Sequence, residues 1–329
     1  MEPARTKVHP YEYEELNKQF YSASPHRFFQ RRLLGLVAVA SESDALKKVF
    51  SEGISYRELT LQLDSDEDEP DKDDYTADMY AAAESTVLLH HTAEALLRLY
   101  LGHSNRNPCP WLAIASLTSF ANFKKQIKKL QVDLDQSDTM DDVLEVFSYS
   151  STPEFLRGPD PTDVWNEHRE CVRDVLSEAI RILLGDANVY NSTKHGMAVV
   201  AAETGMSVGK DDEDPFMEMK GMSLKYLENV LVQQENAKYW QTTTWWPQPE
   251  RAMTLTLVMT WLMRSLWQSA RAHYKIDRLT EVPFLLRREQ IDHLLKMGYK
   301  EGFNVTSMSM RLYTDPPTPA PGGAGVGGK

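Results

Sequence analysis

The segment spanning residues 249–274 sets the first constraint on any fold for this chain. Leu255, Val258, Met259, Trp261, Leu262, Leu266, Trp267 and Ala270 put apolar groups on nearly every side of a helix. A helix without a polar face is stable only where other elements surround it. Pro249 and Glu250 suit its first turn. The rest of the chain must therefore build a shell around this segment.

Three other segments have the helical periodicity to do so. Over 79–101, Met79, Ala82, Leu89, Ala93, Leu96, Leu97 and Tyr100 share one side, while Glu84, His91, Glu94 and Arg98 share another within about an 80° arc. That second row is either a solvated face or the polar wall of a site. Gly102 and the following HSNRNPCP run predict the end of this helix. Over 111–134, Ile114, Leu117, Phe120, Ile127 and Leu130 form a stripe opposite Lys124, Lys125, Lys128 and Lys129, which read as a solvated basic face. Thr162 or Asp163 caps a third long helix. Its stripe runs through Val164, His168, Cys171, Val175, Ala179, Ile182 and Leu183 to Gly185, with His168 expected as a satisfied core histidine.

The β signal is local. Residues 197–202, 224–232 and 238–244 carry β-branched and aromatic residues, which predicts a small antiparallel excursion of two to four strands. The fold class expected is mainly α: a four-helix-bundle core with extra N-terminal helices and a small antiparallel β insertion between the third and fourth long helices. The chain divides into an N-terminal helical segment (1–63), an acidic linker (64–78) and a helical-bundle domain (79–281) with its β insertion at about 197–246. A C-terminal extension (282–314) and a Pro/Gly-rich tail (315–329), disordered by composition, follow.

Charge narrows the partners. Residues 64–78 hold nine acids and one lysine, which leaves the rest of the chain at −4 of a net −12. Neither an acidic nor a basic character dominates the body, and the acidic segment is a candidate contact arm for a protein partner. Cys109 and Cys171 have no metal or redox spacing and are expected to be reduced. The first residues lack the apolar run of a signal peptide, and 255–266 is too short and too interrupted to span a membrane. A soluble cytoplasmic protein is expected.

No P-loop, dinucleotide fingerprint, nucleophile elbow, zincin or EF-hand pattern occurs. His90 and Glu94 have i,i+4 spacing, but one such pair is not a metal site, and neither metal nor cofactor is expected. What remains is Tyr190-Asn191-Ser192-Thr193-Lys194-His195-Gly196. A histidine near its ordinary pKa both takes and gives a proton, Asn191 can orient a phosphate or a ribose hydroxyl, and Lys194 can neutralise a phosphate oxygen. Those are the groups metal-free RNA cleavage needs. The same residues also suit a plain turn after a helix.

With long helices, a polar motif after the third and a buried final helix, residues 79–274 resemble the HEPN superfamily of four-helix bundles. The resemblance implies a metal-independent ribonuclease of defence or toxin type, with its site formed across a homodimer, or a non-catalytic relative binding RNA or nucleotide. It implies catalytic roles for Asn191, Lys194 and His195. Tyr190 stands where active members carry Arg, so the transition state must take a positive charge from Lys194 or Arg98, or go without one. Tyr190, Glu84, His91, Glu94 and Arg98 are the candidate substrate-binding residues. The alternative is a structural or protein-interaction module without catalysis.

Overall fold

The computed structural model describes residues 8–41, 48, 52–61, 77–153, 160–185, 187–194, 198–208, 217–232, 237–276, 284–289, 291–292 and 307–312. The protein is mainly helical, with a four-stranded antiparallel sheet. In chain order the elements are α1 (Tyr13–Ser22), α2 (Pro25–Ala40), a hairpin of β1 (Ile54–Tyr56) and β2 (Leu59–Leu61), α3 (Ala77–His103), α4 (Pro110–Ser116), α5 (Phe120–Asp133), α6 (Ser137–Ser148), α7 (Pro161–Gly185), α8 (Ala187–Lys194), β3 (Val199–Val208), β4 (Met217–Val232), β5 (Ala237–Trp245), α9 (Pro249–His273) and β6 (Ser307–Arg311). The acidic run 64–74 and the tail 315–329 lie outside the described residues.

Two helices are central. α9 packs along α3, α2 and α6, and α3 packs in addition on α4, α7, α8 and the sheet. Trp267 is buried on α9, while Trp261 is only partly buried and packs on Phe284 with ring centroids 5.5 Å apart. Both helices carry hydroxyls in the core, and these are satisfied by backbone carbonyls. Thr86, Thr92 and Thr256 donate to carbonyls four residues back at 2.7–2.8 Å. Ser265 and Ser269 reach the Phe147 carbonyl of α6 at 2.9 and 2.8 Å. A buried hydroxyl left without a partner would cost about 1–3 kcal/mol, so this pattern lets polar residues sit inside the bundle.

Several sequence expectations change. The N-terminal helices are part of the core: Tyr21, Phe29, Leu33 and Leu36 join the same cluster as α3 and α9. The Tyr21 hydroxyl bonds His103 Nε2 at 2.7 Å, and Trp267 Nε1 donates to the Ala23 carbonyl at 2.9 Å. The predicted helix over 111–134 is two helices, because Leu117 leaves the helical region and Ser119 caps a new start by accepting from the Asn122 N–H. α3 ends at His103, within the Gly102–Pro110 run expected to end it, and Gly102 has a packing role besides. A Cβ there would lie 2.4 Å from Ile114 Cγ1, so this glycine permits the close approach of α4.

The sheet order is β3-β4-β5-β6, all antiparallel. The strands over 197–246 thus lie between α8 and α9 as expected, but the fourth comes from the C-terminal extension. One sheet face, with Val199, Ala201, Met222, Leu224, Tyr226 and Trp245, packs on Ala82 and Ala83 of α3 and Val189 of α8. By strand register the other face carries Val200, Leu227, Leu231, Trp240, Met308, Met310 and Leu312, all exposed.

His168 sits in the core as expected. Nδ1 accepts from the Leu286 N–H at 3.0 Å, so Nε2 carries the proton and donates to Ser148 Oγ at 2.9 Å. Burial lowers the pKa of His168, His26 and His103 from the ordinary 6.5 to about 4. The unfolded chain therefore binds protons in the window 6.5 to 4 that the folded chain refuses, and stability falls as pH drops through it. Chemical denaturation at pH 7 and pH 5 should show a loss of about 1–2 kcal/mol per histidine. His168→Gln, which keeps one donor and one acceptor, should shrink that difference.

Candidate functional site

The motif after α7 is helical over most of its length. Its first five residues, Tyr190 to Lys194, belong to α8 and not to a free loop, because the chain restarts a helix soon after Gly185. Thr193 turns its hydroxyl back to the Val189 carbonyl at 2.7 Å, and Asn188 donates to Glu228 of β4 at 2.7 Å. Tyr190 then points inward and Asn191 and Lys194 outward. His195 lies outside the described residues.

Tyr190 is the anchor of the cluster. Its ring stacks flat on His90 (centroids 4.8 Å apart, 3° between planes) and meets His91 edge-on (5.6 Å, 80°). The Lys194 ammonium lies over the same ring at 5.4 Å. The Tyr190 hydroxyl is buried and, among the described residues, makes no hydrogen bond of ordinary geometry, although the Lys194 ammonium acts on it. Burial raises its pKa and Glu94 adds to that; Lys194 and Arg32 pull the other way.

Arg32 of α2 was not anticipated from sequence. Its Nη2 meets Glu84 Oε1 at 2.5 Å and its Nη1 meets His91 Nδ1 at 3.0 Å. A guanidinium only donates, so Nδ1 accepts and the His91 proton resides on Nε2. Burial, then Arg32 and Lys194, lower the His91 pKa, with Glu94 and Glu84 opposing. His91 is therefore a neutral donor at physiological pH, its other nitrogen occupied. The signal that could have revealed Arg32 was Glu84, a half-buried carboxylate that needs a cation from another element.

Of the row on α3, Glu84 and His91 join Tyr190 and Lys194. Glu94 lies at the boundary, acting through space on His91 and Tyr190 while it accepts from Arg98 Nε at 2.7 Å. Arg98 is turned elsewhere: Nη1 donates to the Leu117 carbonyl at 2.6 Å and the guanidinium lies 4.4 Å over the Phe123 ring. Its charge serves the α4–α5 connection and not the motif. The row is thus neither a solvated face nor wholly a site wall.

Arg32 and Lys194 outnumber the one carboxylate, Glu84, that has no other partner here, and Asn191 adds an exposed amide. Such a surface favours an anion. Among the described residues no group of three or more His, Cys, Asp or Glu is placed to hold a metal ion. No helix there is long and apolar enough to cross a membrane. No protein-family model, curated protein or solved structure matches the chain.

A buried hydroxyl without a partner destabilises, so Tyr190→Phe should raise stability by up to about 1 kcal/mol. Glu84→Gln should lower it by about 1–2 kcal/mol, because it strips a half-buried guanidinium of its counter-charge. Thermal unfolding of the two variants beside the parent should show midpoints moving in opposite directions.

Proposed function

We propose that this protein is a HEPN-like RNA-binding protein whose phosphate-contacting surface is built by Arg32, Asn191 and Lys194 around the buried Tyr190 ring. The observation that carries the reading is Arg32, held by Glu84 and His91 in the neighbourhood of Tyr190. It supplies from α2 the permanent positive charge that the motif lacks at position 190. In this reading the four principal helices of the bundle are α3, the α4–α5 pair, α7 and α9, and the protein works in the cytoplasm, in defence or as a toxin.

Cleavage at this surface needs no metal. His195 takes the 2′-hydroxyl proton, the oxygen attacks the adjacent phosphorus, and the 5′-oxygen leaves with a proton returned to it. Arg32 and Lys194 balance the charge that builds on the phosphoryl oxygens, and Asn191 orients the phosphate. Binding of labelled single-stranded RNA in EDTA tests the first half. Arg32→Ala and Lys194→Ala should each weaken it about tenfold, as loss of a charge-assisted contact does. Any cleavage should survive EDTA and fall ~10²–10⁴-fold in His195→Ala. A folded parent protein that neither binds nor cuts RNA removes the proposal.

The outer sheet face favours a second reading, an interaction module. Seven exposed apolar side chains on one surface exceed the scattered ones of a monomer. The occupant this reading commits to is a second copy, since apolar rows meet apolar rows under a two-fold axis. Light scattering at tens of micromolar should then give a dimer, and Leu231→Asp with Trp240→Ser should give a monomer. A strictly monomeric parent ends this reading and also removes the shared site that the HEPN resemblance implies, leaving RNA binding by a single copy to be tested.

A further inference from the structure

A second concave site lies at the C-terminal end of α3, where α5, α6 and the last turn of α9 surround a cleft of about 770 Å³. That volume falls within the range of small-molecule sites. Tyr100 forms its floor. The ring is buried and stacks on Phe147 with centroids 5.9 Å apart and 5° between planes. Tyr100 lines the cleft, and its side-chain hydroxyl makes no hydrogen bond among the described residues. Asp133 and Asp142 also line the cleft, are close enough to act on that hydroxyl, and take part in no ion pair among the described residues. Glu145, the third acid, already accepts from Arg106 at 2.6 Å.

Backbone conformation points to the same place. Asn105, Arg106 and Tyr149 have φ of 60°, 49° and 60°, and all three line the cleft. Left-handed backbone at residues other than glycine persists where the surrounding structure enforces it, often around a ligand site. Tyr149 thereby ends α6 with its ring half exposed at the cleft, which Tyr274 also lines.

We infer that this cleft binds an aliphatic diamine or polyamine, whose ammonium groups donate to Asp133, Asp142 and the Tyr100 hydroxyl. Its methylenes lie on the Tyr149 ring and on Leu130 and Val146. Two carboxylates without ion-pair partners among the described residues select a cation over an anion, and the Tyr100 hydroxyl on which both act supplies a further acceptor. Aromatic walls suit the alkyl chain and add attraction for the ammonium. Lys129 on the rim opposes the cation, so its removal should not weaken binding.

Titration calorimetry of the full chain with spermidine, at physiological salt, tests this. The parent should bind at submillimolar concentration. Asp133→Asn with Asp142→Asn should weaken binding at least about tenfold. Tyr100→Phe, which keeps the stack on Phe147, should weaken it about threefold with an unchanged melting temperature. Because residues 64–78 carry eight net negative charges and attract polyamines unspecifically, a variant with their acids changed to amides must still bind. The inference is overturned if the parent shows no binding at millimolar spermidine, if the double variant binds like the parent, or if binding vanishes with the acidic segment's charge. Asp142→Asn alone, at an exposed position, keeps the test open should the double variant fail to fold.

Discussion

A helix enclosed on every side has nowhere to send a polar side chain except to backbone, and α3 and α9 are both built under that constraint. Threonine and serine hydroxyls at 86, 92, 256, 265 and 269 close on carbonyls of their own or a neighbouring helix. The bundle can then use small residues along α3, where α4, α7, α8 and the sheet all approach closely. Leucine at those positions would fill the core equally well but hold the neighbours further away. The site cluster depends on this, because Tyr190 reaches His90 and His91 only if α8 lies directly against α3.

The long helices were legible because periodicity is a local property: α9 reads as buried and α7 as amphipathic without reference to any other segment. The helical conformation of 190–194 was not legible, since its polar residues suit a turn and a short helix alike. Gly102 marks the end of α3 as its sequence context predicts, but its second role, admitting Ile114 at close range, is visible only in the structure. Arg32 was missed because nothing near residue 32 marks it. Its meaning comes from Glu84 and His91, more than fifty residues away in the chain. Arg98 was overvalued for the converse reason: helix geometry places it in the row with Glu84 and His91, but Leu117 and Phe123 draw it to the other side.

Charge in this protein is held in pairs that tie one helix to another. Glu178 of α7 accepts from Arg181 of its own helix and from Arg251 of α9, and the arginines bring its pKa below the usual value against the effect of burial. Arg288 links the segment after α9 to Glu170 and Asp174 of α7 at 2.9 and 2.6 Å. Each pair is only partly buried, so its contribution is modest and its value lies in fixing orientation. The buried Tyr190 hydroxyl, like Asn17 Oδ1 and His26 Nδ1, has no hydrogen bond of ordinary geometry among the described residues, and such departures from a satisfied interior concentrate where a protein meets a ligand.

The sheet is completed from both sides of α9. β3, β4 and β5 precede that helix and β6 follows it, more than sixty residues beyond β5. During synthesis β5 must therefore wait as an open edge, with its backbone donors and acceptors exposed, until residues 307–311 emerge from the ribosome. An unprotected strand edge next to an apolar sheet face invites pairing with a neighbouring nascent chain. Truncation upstream of residue 307 would make that interval permanent, so a shortened protein should be lost to aggregation before any loss of helical structure is felt.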